Sequence, residues 1–154
     1  MKKLIVRNRK QVETSNEVQD KHIIISIFTP GDSEPKVVTN DNTEALFFVP
    51  FHDLDGEPSV ATSLAFGPII LFDNQMAQNI VNFVNNFSEI NTIIVHCDAG
   101  QSRSAGVAAA IAKFFNGNDD QFFSGGGMYG SPRYTPNRLA YRKVLKVFHG
   151  IEDD

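Results

Sequence analysis

The residues best suited to chemistry lie at positions 96–104, in the run His-Cys-Asp-Ala-Gly-Gln-Ser-Arg-Ser. Cys97 is the only cysteine in 154 residues, and Arg103 follows it after five intervening residues, with Ser104 directly behind. A loop of this length can curl so that successive backbone N–H groups point inward and bind an anion, and a following helix N-terminus adds positive charge. Such a loop favours the thiolate form of a cysteine at its base, which is the nucleophilic form. The segment therefore predicts a thiolate facing a bound phosphate.

The other loop positions suit the same chemistry. Gly100 gives the backbone a freedom that a residue with a Cβ would lack. Arg103 offers a planar fork of donors that matches two phosphate oxygens, which a lysine cannot copy. Ser104 is placed to donate a hydrogen bond to the sulfur and to help it leave a phosphocysteine intermediate. We therefore predict Cys97, Arg103 and Ser104 as catalytic residues. The predicted substrate-binding residues are those of the loop: Asp98, Ala99, Gly100, Gln101, Ser102 and Arg103.

The flanking segments predict the elements that would hold this loop. Residues 92–96 form an apolar run of strand length, and residues 104–115 form an alanine-rich helix. Further strands are predicted at 4–7, 22–28 and 45–51. Two further helices are predicted, one after an N-cap at Asp73 and one from an N-cap at Thr135 with Pro136 in its first position. Alternating strands and helices predict an α/β fold with a mainly parallel central sheet flanked by helices.

The pattern of His96, Cys97, Gly100, Arg103 and Ser104 resembles the active-site signature of the cysteine-based protein tyrosine and dual-specificity phosphatases. The resemblance implies one phosphatase-like domain over residues 1–154 with a dual-specificity-phosphatase-like fold. It also implies hydrolysis of a phosphorylated protein or a small phosphomonoester without a cofactor or metal. In that family the histidine tunes the cysteine and does not transfer protons.

Other interpretations of the cysteine are open to the sequence. A lone cysteine is often only a small buried hydrophobe. Sulfurtransferases of the rhodanese type, small arsenate reductases and low-molecular-weight phosphatases use similar loops. The position of Cys97 two-thirds along the chain and the lack of a second cysteine disfavour them. A pseudophosphatase adaptor that captures phosphorylated partners without turnover is the remaining alternative, and the intact Cys97, Arg103 and Ser104 favour an enzyme.

Cleavage of a phosphate ester also needs an acid that protonates the departing oxygen. The candidates are Asp53, Asp55 and Glu57, which follow the predicted third strand. The run Pro-Phe-His-Asp at 50–53 resembles the family pattern in which the aspartate donates the proton, and this implies Asp53 as the general acid. Compared with that family, residues 59–69 are expected to form an insertion.

Composition limits the partners. The formal net charge of −4 argues against nucleic acid or an anionic membrane surface as the main partner. The four histidines show no metal-ligand spacing, and no transmembrane stretch is present. A single cysteine without an export signal predicts a cytoplasmic location. The oligomeric state is not predicted.

Overall fold

The computed structural model describes residues 1–125, 127 and 133–151. Four strands form one sheet in the order β1-β4-β2-β3, and every neighbouring pair is parallel. The strands are β1 (Lys3–Asn8), β2 (His22–Phe28), β3 (Thr43–Pro50) and β4 (Thr92–Cys97). The predicted α/β fold with a mainly parallel sheet is therefore confirmed.

The two central strands, β2 and β4, are buried along nearly their whole length. Their apolar runs are continuous because parallel strands covered on both faces need apolar side chains on both sides. One face of the sheet packs into the main core together with the longer helices. The other face carries a smaller cluster around Val12, Ile24 and Ile94. The carboxyl ends of β2, β3 and β4 lie side by side at one edge of the sheet, because all strands run in the same direction.

The described residues contain six helices: α1 (Arg9–Thr14), α2 (Val60–Phe66), α3 (Asn74–Asn86), α4 (Arg103–Asn116), α5 (Asp120–Phe123) and α6 (Arg138–Phe148). The sequence predicted α3, α4 and α6 and missed the three short ones. Helices of four to seven residues show too few turns for an apolar periodicity to be recognised. Among the helices of the described residues, none is long and apolar enough to cross a membrane.

The helix starts were predicted with mixed success. Asp73 is the N-cap of α3 as predicted, because its side chain accepts a hydrogen bond from the Met76 N–H at 2.8 Å. The prediction of Thr135 as the N-cap of the last helix was wrong. Asn137 caps α6 instead, whereas the Thr135 N–H donates to the Gln101 carbonyl at 2.9 Å. The glycine-rich stretch of the sequence before this helix, residues 116–134, lies partly outside the described residues.

Residues 53–69, between β3 and α3, form a segment whose two ends are held together by hydrogen bonds between the flanking residues His52 and Ile70. The His52 N–H donates to the Ile70 carbonyl at 2.8 Å, and the Ile70 N–H donates to His52 Nδ1 at 2.9 Å. The predicted insertion at 59–69 contains α2, which has no buried residue. Val60, Leu64 and Phe66 on this helix are exposed to solvent. We call residues 53–69 the acid-loop segment.

Candidate active site

Cys97 is the last residue of β4, and α4 begins at Arg103, so residues 98–102 form a tight loop between a strand and a helix N-terminus. The Gly100 N–H donates to Cys97 Sγ at 3.3 Å. The Ser104 hydroxyl lies 3.1 Å from the same sulfur. Both groups can donate hydrogen bonds to a thiolate, and hydrogen bonds to the charged form stabilise it. The structure therefore brings the predicted nucleophile and Ser104 into contact.

Gly100 is required by two features of the loop. Its φ of +69° lies in the left-handed region that side chains with a Cβ rarely adopt. A Cβ at this position would also lie 2.8 Å from the backbone carbon of Arg7 and 2.9 Å from the backbone nitrogen of Asn8. The loop thus packs directly on the end of β1, and only glycine permits that approach.

Arg103 is almost fully buried, with 6% of its surface exposed. Its Nη1 donates to the Phe51 carbonyl at 2.8 Å and to Thr29 Oγ1 at 3.1 Å. Its Nη2 donates to Asp98 Oδ2 at 3.1 Å, and the two side chains form an ion pair through these atoms. Residues from the ends of β2 and β3 therefore meet the loop residue Asp98 at this guanidinium.

Asp98 is held in its charged form by these contacts. Burial alone would raise the pKa of Asp98, but hydrogen bonds from Thr29 and Arg103 and the charges of Arg103 and Arg9 outweigh it and lower the pKa below its usual value. Because the folded-state pKa is lowered, Asp98 contributes stability at neutral pH that is lost as the pH falls through the lowered pKa. An anionic Asp98 is thus part of the site near neutral pH.

The structure brings Asp53 to the cysteine loop. Asp53 Oδ1 accepts hydrogen bonds from Ser102 Oγ at 2.7 Å and from Asn137 Nδ2 at 2.9 Å. No described residue donates to the other oxygen, Oδ2, and the side chain is exposed to solvent. One oxygen therefore fixes the carboxyl group beside the loop, while the other is available to hold a proton.

The two alternative acids are placed differently. Asp55 Oδ1 accepts a hydrogen bond from the Arg138 N–H at 2.9 Å, in the first turn of α6. A carboxylate at a helix N-terminus is stabilised by the helix dipole, so Asp55 acts as an additional cap. Glu57 is exposed and has no hydrogen bond or ion pair with another residue in the described part of the chain.

Asn137 connects three parts of the site. Its N–H donates to the Ser102 carbonyl at 2.9 Å, and its Nδ2 also donates to the Leu54 carbonyl at 3.2 Å. Its Oδ1 caps α6 by accepting from the Ala140 N–H at 3.0 Å. The signal available in the sequence was an asparagine at the start of an apolar helical pattern, which indicates a cap but not the contacts across the site.

Close packing of α4 against Asn137 depends on Gly106. A Cβ on Gly106 would lie 2.5 Å from the Asn137 carbonyl oxygen, a distance that forces the backbone to move. We expect Gly106→Ala to destabilise the protein by about 1–3 kcal/mol, the usual cost of overpacking. Urea unfolding measures this loss of stability. Gly56→Ala is the matched control, because a Cβ there meets nothing within 4 Å. A Gly106→Ala variant as stable as the control would contradict this prediction.

His96 lies behind the cysteine, fully buried between β4 and β2. Its Nε2 is 2.6 Å from Ser26 Oγ, and its Nδ1 is 3.4 Å from the Cys97 carbonyl. Since the carbonyl can only accept, Nδ1 carries the proton and Nε2 accepts from the serine. Burial is the main cause that lowers the pKa of His96, so the ring is neutral. This arrangement supports the backbone of Cys97 and offers no route for proton transfer to substrate.

Ala99 and Gln101 are the remaining residues of the cysteine loop. They line a cavity of about 200 Å³ together with Arg7 and Arg133. A larger cavity of about 710 Å³ lies between α1 and the sheet and contains none of the predicted site residues. Within residues 1–125, 127 and 133–151, no three His, Cys, Asp or Glu side chains are grouped in a way that could hold a metal ion.

Neither the comparison with family models nor the search of curated proteins gives a match. Solved structures do match over nearly the whole chain. Human DUSP28 has 15% identity and a TM-score of 0.54, with 96% of this chain and 92% of that chain covered. The human tyrosine phosphatase-like serine/threonine/tyrosine-interacting protein has 17% identity and a TM-score of 0.54, with 94% and 89% covered. A mouse protein named as a dual-specificity phosphatase, complexed with zinc tungstate, has 20% identity and a TM-score of 0.50, with 96% and 82% covered. The chain thus has the fold of the dual-specificity phosphatases, as predicted.

Proposed function

We propose that this chain hydrolyses phosphomonoesters through a phosphocysteine intermediate, as a protein tyrosine or dual-specificity phosphatase. The observation that carries the proposal is the convergence of the four predicted catalytic residues, Cys97, Arg103, Ser104 and Asp53, at one loop. Cys97 Sγ is contacted by the Gly100 N–H and the Ser104 hydroxyl, Arg103 follows at the helix start, and Asp53 is bound to Ser102. The fold shared with DUSP28 supports the same assignment.

In the first step, Cys97 Sγ attacks phosphorus and the bond to the substrate oxygen breaks. Arg103 and the loop N–H groups bind the non-bridging oxygens, where negative charge must be stabilised in the transition state. Asp53 gives its proton to the departing oxygen, so that an alcohol or phenol leaves instead of an alkoxide. We assign the delivery of this proton to Oδ2 of Asp53, because Oδ1 is the oxygen that accepts from Ser102 and Asn137.

In the second step, water attacks the phosphocysteine and the sulfur–phosphorus bond breaks. The Asp53 carboxylate left by the first step accepts the proton of this water, since the acid of one step is the base of the next. The Ser104 hydroxyl, 3.1 Å from Sγ, donates a hydrogen bond to the sulfur as it leaves with the electron pair. Inorganic phosphate is released and the thiolate is restored.

The substrate class is a phosphorylated protein, on tyrosine or more broadly, or a small phosphomonoester. We expect the enzyme to work in the cytoplasm, where its one free cysteine would stay reduced.

The direct test is hydrolysis of p-nitrophenyl phosphate in the presence of EDTA. Turnover without a divalent ion is expected, because the thiolate and Arg103 supply what metal ions provide in other phosphatases. A strict requirement for a metal would refute the proposed function. Phosphate binding without any turnover would favour the adaptor alternative.

The choice between Asp53 and Asp55 can be tested through the leaving group. A general acid matters most when the departing oxygen is a poor leaving group. We expect Asp53→Asn to slow hydrolysis of alkyl phosphates more than that of p-nitrophenyl phosphate, and to remove the basic limb of the pH profile of kcat. Asp55→Asn is the matched control, because its amide oxygen can still accept from the Arg138 N–H and only the favourable charge at the N-terminus of α6 is removed. If the leaving-group dependence appears in Asp55→Asn and not in Asp53→Asn, the assignment of the acid is wrong.

A further inference from the structure

We propose that Asp98 and Thr29 are positioning residues that lock one edge of the Arg103 guanidinium, so that its other edge faces the phosphate. The inference rests on the proposed function and deepens it, because it concerns how the phosphate-binding arginine is aimed. From its place in the loop Asp98 was predicted only to bind substrate, and the sequence gives no local signal for a role of Thr29.

The anchoring contacts occupy defined donors. A guanidinium has five N–H donors in a fixed plane. Both donors of Nη1 are used, by the Phe51 carbonyl at 2.8 Å and by Thr29 Oγ1 at 3.1 Å. One donor of Nη2 is used, by Asp98 Oδ2 at 3.1 Å. These three bonds fix the position and the plane of the side chain.

Thr29 and Asp98 act as a unit. The Thr29 hydroxyl donates to Asp98 Oδ2 at 2.8 Å while it accepts from Arg103 Nη1. The three side chains therefore close a ring of hydrogen bonds on the outer edge of the guanidinium, between Nη1 and Nη2. The unit is itself fixed, because the Arg9 N–H donates to the Asp98 backbone carbonyl at 3.2 Å.

The unused donors are the Nε–H and the second Nη2–H. No described residue accepts a hydrogen bond from either of them. In the planar guanidinium these two N–H bonds lie parallel on one edge, and this is the pair that binds two oxygens of a phosphate side by side. The anchoring contacts thus leave a bidentate edge free and oriented before the substrate arrives.

A carboxylate suits this position energetically as well as geometrically. Arg103 is almost fully buried, and a buried charge without a partner is costly. Asp98 supplies the compensating charge from within the loop, so the guanidinium can stay in place when no phosphate is bound. Side chains ordered in advance lose less entropy on binding, which favours affinity and rate.

The main test compares Thr29→Val with Thr29→Ser. Valine has nearly the same shape but removes the hydroxyl that bridges Asp98 and Arg103, so we expect kcat/KM for p-nitrophenyl phosphate to fall about tenfold or more. The conservative serine variant keeps the hydroxyl and should recover most of this loss. Thr39→Val, at an exposed threonine, controls for the loss of a hydroxyl elsewhere. Equal activity of wild type and Thr29→Val would overturn the proposal.

A double-mutant cycle separates positioning from general stability. A lysine has no guanidinium whose second edge could be oriented toward the phosphate. In an Arg103→Lys background, adding Thr29→Val should therefore cause little further loss of kcat/KM. The same fold-loss in both backgrounds would overturn the proposal, since Thr29 would then act elsewhere. If Thr29→Val does not fold, Asp98→Asn replaces it, because the amide keeps the shape and removes the charge.

Binding provides an arm that does not depend on turnover. In a Cys97→Ser background, we expect Thr29→Val to weaken the binding of inorganic phosphate by about tenfold, measured by calorimetry. Unchanged phosphate affinity would overturn the positioning role, even if the enzyme is active. A protein that binds phosphate in this Thr29-dependent way but shows no hydrolysis as wild type would refute the proposed function and leave the positioning role intact.

Discussion

Replacing Cys97 with serine is expected to lower kcat for p-nitrophenyl phosphate by roughly 10⁴-fold or more, the scale seen when a nucleophile is removed. The serine hydroxyl is a poor nucleophile here, since no general base in the described part of the chain contacts this position and the buried His96 faces Ser26 on the adjacent strand. Binding of inorganic phosphate should survive, because the loop N–H groups and Arg103 are unchanged. Steady-state kinetics and calorimetry measure the two properties separately.

The stability of the Cys97→Ser variant serves as the control, because it shows whether a loss of activity comes from a loss of folding. Serine differs from cysteine by one atom, so the unfolding midpoint in urea should stay close to that of wild type. Full activity in Cys97→Ser would exclude a phosphocysteine intermediate. Loss of both activity and phosphate binding in a folded variant would mean that the sulfur is itself needed to form the phosphate-binding site.

Replacing Arg103 with lysine is expected to lower kcat/KM by about 10² or more, the usual cost of removing a transition-state donor. Lysine keeps the charge but cannot make the contacts to Phe51, Thr29 and Asp98 while also binding two phosphate oxygens. The measurement is kcat/KM for p-nitrophenyl phosphate together with the affinity of the Cys97→Ser, Arg103→Lys double variant for phosphate.

Arg138→Lys is the matched control for Arg103→Lys. The Arg138 guanidinium is exposed and lies over the Phe123 ring, 5.7 Å from its centroid. We expect nearly normal kinetics in this control. Nearly normal kinetics in Arg103→Lys as well would mean that the loop does not bind phosphate through a bidentate arginine.

Much of the fold follows from local sequence. The runs around Ile24 and Ile94 are apolar at every position but a few, which is typical of central parallel strands, and the structure buries both. The cysteine loop was found because its residue types and spacing form one contiguous motif. The start of α6 was misplaced because the sequence offers Thr135, Pro136 and Asn137 in succession, and only the tertiary contact of Thr135 with Gln101 decides among them.

The contacts that organise the site could not be read from the sequence. Thr29 and Arg103 are 74 positions apart, and Asp53 and Asn137 are 84 positions apart. Their meeting depends on the register of β2, β3 and β4 at the carboxyl ends of the strands and on the packing of the start of α6 against α4, which no local pattern specifies. The role of Asp53 as the acid stays a prediction, whereas its placement beside Ser102 is a property of the structure.

The paired hydrogen bonds between His52 and Ile70 also make this protein a convenient scaffold for engineering. They close the base of the acid-loop segment, while Asp53 and Asp55 hold its first residues against the cysteine loop and α6. The part around α2 contributes no buried residue, and longer connections between fixed ends cost little free energy. A fluorescent reporter or a new chain terminus could therefore be introduced within residues 60–66 without moving the proposed catalytic groups. Replacing the exposed Val60, Leu64 and Phe66 in the same step would remove three large apolar side chains from the surface.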